Sequence, residues 1–153
     1  MENIQLDGMD EKILQMLAEN ARVPFLEVAR VCGVSGTAIH QRVQRLTSLG
    51  VLQGTEYKID AAKIGYATCA YVGLSLKEDV LLEEVVEALD GIPEVVECHC
   101  TNEPFDLFVK MYARDNAHLL TLINEKLKPL GLSRSKIIIS FRQLISKQLS
   151  VLP

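Results

Sequence analysis

No run in the sequence approaches the roughly 18 consecutive apolar residues that span a bilayer, so a membrane-spanning protein is not expected. The opening stretch MENIQLDGMDEKIL has neither a basic n-region nor an apolar h-region, so no secretory signal is expected. Cysteine is sparse. The four thiols, Cys32, Cys69, Cys98 and Cys100, are scattered along the chain, and reduced thiols in the cytoplasm are the expectation. A glycine-flanked serine elbow, a phosphate loop and paired-carboxylate spacing are all missing, which leaves nucleophilic and acid–base catalysis without candidates. The acids of LLEEVVEALD read as the solvated face of an amphipathic helix. Histidine is scarce as well, with only His40, His99 and His118.

What is present is enough for a real core: 153 residues, of which 48% are apolar. The net charge of −4 argues against indiscriminate polyanion binding, but it is unevenly spread. Ser35 to Leu49 holds two arginines and no acid. Ile59 to Pro153 holds 10 Lys+Arg against 13 Asp+Glu, a local charge of −3. Screening cuts fields within about 10 Å, so a small basic element on an acidic body can still meet DNA.

Hydrophobic spacing predicts a first helix over Asp10–Ala21, with Ile13, Leu14 and Leu17 on one face and Asp10 as its cap. Pro24 breaks the pattern and suits the start of a second helix, Leu26–Cys32, with Val28, Ala29 and Cys32 inward. "GVS" then forms a short turn in which Ser35 caps a third helix. This is the helix-turn-helix pattern. After Gly50, VLQGTEYKID is polar and without helical period, which reads as a strand or linker.

The rest alternates strand and helix: ATCAYVGLSL, then DVLLEEVVEALDG with Leu82, Val85, Val86 and Leu89 inward, then EVVECHC and FDLFVKMYA as a hairpin across TNEP. A second helix, DNAHLLTLINEKLKPLG, places Leu119, Leu120, Ile123 and Leu127 inward before the final strand RSKIIISFRQLIS. The order βαββαβ is the ferredoxin-like unit. The fold class is therefore α+β, a winged-type helix-turn-helix domain at 1–52, a linker strand at 53–66 and a ferredoxin-like domain at 67–153.

On the third helix, Ile39, Val43 and Leu46 face inward, while Thr37, Gln41, Gln44 and Ser48 face out. A surface helix ordinarily pairs glutamates with lysines. This one offers only neutral donors and arginines, which suit groove edges and phosphates. Because the N-terminal part of such a helix reaches bases, Gly36, Thr37, His40 and Gln41 are the base-edge candidates. Arg42 and Arg45 are the phosphate candidates, and Ser35 is the cap. Arg42 lies near the core boundary and could instead brace the domain, and His40 could be merely exposed.

Cys98-His99-Cys100 invites a metal reading, but alternation puts the two thiols on one face and the imidazole on the other. Two or three thiols without a fourth ligand make a poor zinc site, so the reading is apolar packing within the sheet, with no metal and no cofactor.

The segment LDGMDEKILQMLAENARVPFLEVARVCGVSGTAIHQRVQRLTSLGVLQG resembles the N-terminal half of the Lrp/AsnC transcriptional regulators, and the linker YKIDAAKIGY and the βαββαβ order extend the likeness over the whole chain. The resemblance implies double-stranded DNA as partner and a C-terminal domain that dimerises through its sheet. It further implies dimers assembling into octamers, with a small amino acid bound between dimers. It carries Asn102, Glu103, Pro104 and Asp106 onto the effector turn, and Ser135 and Ile137 onto the pocket wall. Glu103 stands where relatives have glycine and adds a like charge facing an amino-acid carboxylate. Ile137 lacks the hydroxyl that relatives carry there. Sirohaem decarboxylases share the two-part architecture and are the enzymatic alternative.

Overall fold

In the computed structural model, which describes residues 3–150, the chain divides into two compact units. Among the described residues one comprises 3–58 with 146–150, and the other Ile59–Ile145.

Three helices make the first unit: α1 (Gly8–Glu19), α2 (Phe25–Cys32) and α3 (Gly36–Ser48). Helix α1 begins two residues before the position its apolar spacing suggests. Its cap is Asp7, not Asp10; the Asp7 carboxylate accepts from the Asp10 backbone and the Asp10 carboxylate accepts from the Asp7 N–H. That is a capping box with aspartate at the third helical position, where glutamate is usual. Helix α2 ends at Gly33, whose φ of 69° is the left-handed conformation that costs glycine least. Ser35 then caps α3, its Oγ accepting from the Ala38 N–H at 3.1 Å.

The core of this unit is Ile13, Leu14, Val28, Ala29, Ile39 and Leu46, with Cys32 and Val43 packed against it. After α3 the chain turns back: the Val51 and Leu52 N–H groups both donate to the Leu46 carbonyl, at 2.9 and 3.2 Å. No strand forms in the described part of this unit, and the stretch after Gly50 is an irregular linker with one 3-10 turn, Ala62–Ile64. Arg22 lies 4.8 Å over the Tyr57 ring and ties the linker's start to the helical unit.

The second unit runs β1 (Thr68–Leu76), α4 (Leu82–Asp90), β2 (Val95–Cys100), β3 (Leu107–Ala113), α5 (Asn116–Leu122) and β4 (Leu132–Ser140). Helix α5 continues through a π turn, Ile123–Leu127, and a 3-10 turn, Lys128–Leu130. The sheet is antiparallel in the order β2-β3-β1-β4, the ferredoxin-like arrangement expected from βαββαβ. Alternation sorts its faces: Ala70, Val72, Leu74, Leu107, Val109, Met111 and Ala113 are buried in one core with Val85, Leu89, Leu119, Leu122, Ile123 and Leu127.

The helices bury narrower stripes than expected. Leu82 and Val86 on α4, and Leu120 on α5, are exposed; Leu122 takes the inward place. Val86 and Leu120 are each rotated by about 100° from the buried residue before them, Val85 and Leu119, and Leu82 is the first residue of α4, at the open end of its stripe. Cys98 and Cys100 are also exposed instead of packed, because β2 is an edge strand.

Candidate nucleic-acid interface

Helix α3 is positioned by its apolar stripe and by a close approach to α2. A Cβ on Gly36 would lie 3.2 Å from the Leu26 Cδ2, so glycine lets the start of α3 sit tightly against its neighbour. With Ile39 and Leu46 fully buried, Thr37, His40, Gln41, Gln44 and Ser48 are left exposed in a strip. The His40 ring meets Phe25 edge-on at 4.6 Å, which fixes its direction. The Ser48 hydroxyl donates to the Gln44 carbonyl and is spent within the helix.

The two arginines do not point freely outward. The Arg42 Nη1 donates to both Asp7 carboxylate oxygens at 2.7 Å and to the Asp10 Oδ1 at 3.0 Å. The Arg45 Nη1 donates to the Asp10 Oδ2 at 3.3 Å, and its Nη2 to the Gln5 carbonyl at 3.2 Å. The Arg42 guanidinium, together with the backbone N–H of Asp10, lowers the Asp7 pKa from 3.8 to about 2. Gln5, Leu6, Asp7, Asp10, Gln41, Arg42 and Arg45 line an open cleft of about 700 Å³ beside the recognition strip. Arg42 thus braces the domain, the second of its two sequence readings; its partners Asp7 and Asp10 lie some 35 residues away, beyond the reach of local spacing.

In the second unit the effector candidates separate into two groups. Asn102, Glu103 and Pro104 are exposed on the turn between β2 and β3. The Pro104 carbonyl accepts from the Arg134 Nη2 at 3.1 Å and the Ser75 hydroxyl at 3.4 Å. Asp106 is engaged by backbone: its Oδ2 accepts from the Leu76 N–H at 2.7 Å, and its N–H donates to the Leu74 carbonyl at 2.9 Å. Phe105 packs over Gly73, where any Cβ would come within 2.5 Å of the ring. Ser135 and Ile137 pair with Leu74 and Val72, so the pleat sends them toward the helix-covered side, away from Phe105. One chain therefore does not gather the six positions around a single pocket.

The sequence profile of the AsnC-type helix-turn-helix domain matches residues 6–47, and that of the Lrp/AsnC ligand binding domain matches residues 69–149. The chain belongs to the Lrp/AsnC family. The regulatory protein AsnC of Haemophilus influenzae is 35% identical over 123 residues, 80% of this chain and 82% of its own length. The HTH-type transcriptional regulator LrpA of Pyrococcus abyssi is 31% identical over 122 residues, 80% of this chain and 86% of its own. Among solved structures, Escherichia coli AsnC superposes with a TM-score of 0.89 at 24% identity, over 96% of this chain and 99% of that one. A Neisseria meningitidis transcriptional regulator in complex with L-Met superposes at 0.86 and 19% identity, covering 97% of both chains. At these identities the superpositions speak for the fold.

The Lrp/AsnC chain is accordingly a transcriptional regulator built from a DNA-binding helix-turn-helix domain and an effector-type domain, and not an enzyme. The tetrapyrrole decarboxylase alternative finds no support among the relatives. No helix among the described residues is long and apolar enough to cross a membrane.

Proposed function

We propose that this Lrp/AsnC regulator lays α3 into the major groove of double-stranded DNA, with Gly36, Thr37, His40 and Gln41 at base edges and Arg45 on a phosphate. The observation that carries this reading is the acid-free exposed strip of α3, held in place by a Ser35 cap and a fully buried inner stripe. Phosphate contacts supply affinity that falls with salt, and base contacts choose the site. The protein acts in the cytoplasm, where its DNA is.

The effector is a small amino acid taken up where copies of the chain meet, since one chain does not bring Asn102, Glu103, Pro104, Asp106, Ser135 and Ile137 together. Glu103 repels a free carboxylate at that turn, so the ligand's carboxylate faces elsewhere. The solved relative holding L-Met supports the ligand class. The open face of the sheet is the contact between two copies, and dimers assemble further to an octamer.

Fluorescence anisotropy on the DNA upstream of the protein's own gene, against scrambled DNA, tests the reading. Preferential binding is expected, and Gln41→Ala should cost about 1–3 kcal/mol on the preferred site alone. Equal losses on both DNAs would refute base reading by Gln41. Amino acids titrated into the same cuvette should shift the anisotropy.

A further inference from the structure

We propose that the two arginines of α3 have divided roles: Arg42 is a positioning residue clamped away from DNA by Asp7 and Asp10, and Arg45 is the phosphate ligand that Asp10 holds in the free protein. This rests on the DNA-binding reading above and assigns its contacts more finely.

Two guanidinium groups share a pair of carboxylates, but on unequal terms. The Asp10 side chain is 3% exposed, so it cannot be left as a bare charge without a large desolvation cost. Its Oδ1 accepts from Arg42, and its Oδ2 accepts from Arg45 and from the Asp7 N–H at 3.2 Å. Departure of Arg45 therefore leaves Asp10 with Arg42 on one oxygen and a backbone donor on the other. Departure of Arg42 would instead remove the guanidinium that contacts both Asp7 oxygens and the Asp10 Oδ1.

The geometry agrees with that ranking. Arg42 makes its contacts at 2.7, 2.7 and 3.0 Å with a side chain 32% exposed, whereas Arg45 makes single bonds at 3.3 and 3.2 Å with a side chain 49% exposed. Short, multiple, charge-assisted bonds hold; a long one exchanges with a competing oxyanion. A DNA phosphate presents to Arg45 the same chemistry that Asp10 does, one turn from the base-reading residues. Arg42 meanwhile joins α3 to the capping box of α1, so the acids that partner it also fix where α3 points.

The test is a potassium chloride titration of binding to random duplex DNA, paired with thermal melts, for wild type, Arg42→Ala, Arg42→Lys, Arg45→Ala, Arg45→Lys and Asp7→Asn. Arg45→Ala should lower the slope of log affinity against log salt by about 0.9 and leave Tm unchanged, and Arg45→Lys should restore the slope, because a point charge suffices for a phosphate. Arg42→Ala should leave the slope at the wild-type value and lower Tm by several degrees. Arg42→Lys should keep the slope and recover little of the Tm, since a lysine replaces the planar guanidinium poorly between two carboxylates. Should Arg42→Ala fail to fold, Asp7→Asn weakens the same clamp from its exposed side and should lower Tm without touching the slope. A slope lowered by Arg42→Ala as much as by Arg45→Ala, at constant Tm, would overturn the division of roles. If wild type shows no salt-dependent binding to any duplex, the DNA reading itself fails, and the melts alone decide the clamp: an unchanged Tm in both Arg42→Ala and Asp7→Asn overturns it.

Discussion

At the scale of single residues, Asp7 is both the cap of α1 and a partner of Arg42, and its titration reports on both. Its folded pKa of about 2 lies below the ordinary 3.8, chiefly because the Arg42 guanidinium donates to it. A depressed acid adds stability that is complete above its unfolded pKa and vanishes as pH falls through the folded one. Asparagine caps helices as well as aspartate does, so Asp7→Asn isolates the charge. Thermal melts should show a Tm deficit for Asp7→Asn that is constant from pH 7 down to about 4 and closes between about 4 and 2. A deficit that persists at pH 2 would mean the ion pair is not its source. Gly73 offers a second residue-scale case. Because a Cβ there would sit 2.5 Å from the Phe105 ring, Gly73→Ala should destabilise by about 1–3 kcal/mol in urea unfolding, through displacement of that ring. An unchanged midpoint would show that Phe105 moves aside freely.

At the scale of elements, Ser35 separates capping from DNA contact. Its Oγ accepts from the Ala38 N–H, so Ser35→Ala should cost about 1 kcal/mol of stability, read from the shift of the urea midpoint. Ser35→Asp keeps the cap, leaving the midpoint near wild type, but sets a carboxylate beside the proposed phosphate path and should weaken DNA binding. Equal DNA affinity for Ser35→Asp and wild type would move the start of α3 away from the duplex. Such elements were legible because their signals are local. "GVS" supplies a left-handed glycine and a cap within three residues, and period-2 spacing in TCAYVGLSL and LFVKMYA marks strands buried on one face. What was not legible depended on tertiary placement. Nothing near Asp7 shows that it will meet Arg42, the edge position of β2 alone exposes Cys98 and Cys100, and the way α4 lies on the sheet leaves Leu82, at its first position, and Val86 exposed. The effector candidates came from resemblance, and the register of β4 shows that Ser135 and Ile137 face away from the turn carrying Glu103.

At the scale of the whole molecule, the decisive feature is the sheet face that no helix of its own unit covers. Tyr71 and Phe108 stack there at 5.7 Å, Phe105 lies over Gly73, Lys110 sits 5.6 Å above the Tyr112 ring, and Ile138, which pairs with Tyr71, is 44% exposed. Aromatic rings beside aliphatic groups on one flat face have the composition of an interface core. If two copies meet there, as proposed, a charge placed on each of two neighbouring positions of that face is buried unpaired in the dimer yet solvated in the monomer. The double variant Tyr71→Glu/Ile138→Asp should therefore keep its fold by circular dichroism while light scattering shows its mass reduced to that of one chain. The consequence reaches DNA. Two recognition helices held in one dimer require half-sites about 34 Å apart, one turn of duplex, so wild type should prefer half-sites one turn apart over half-sites a half-turn apart. The monomeric variant has one helix and no ruler, and should bind both spacings equally and more weakly. If it keeps wild-type mass, the open face is not the interface. If it becomes monomeric but still distinguishes the spacings, the dimer is not what measures the DNA.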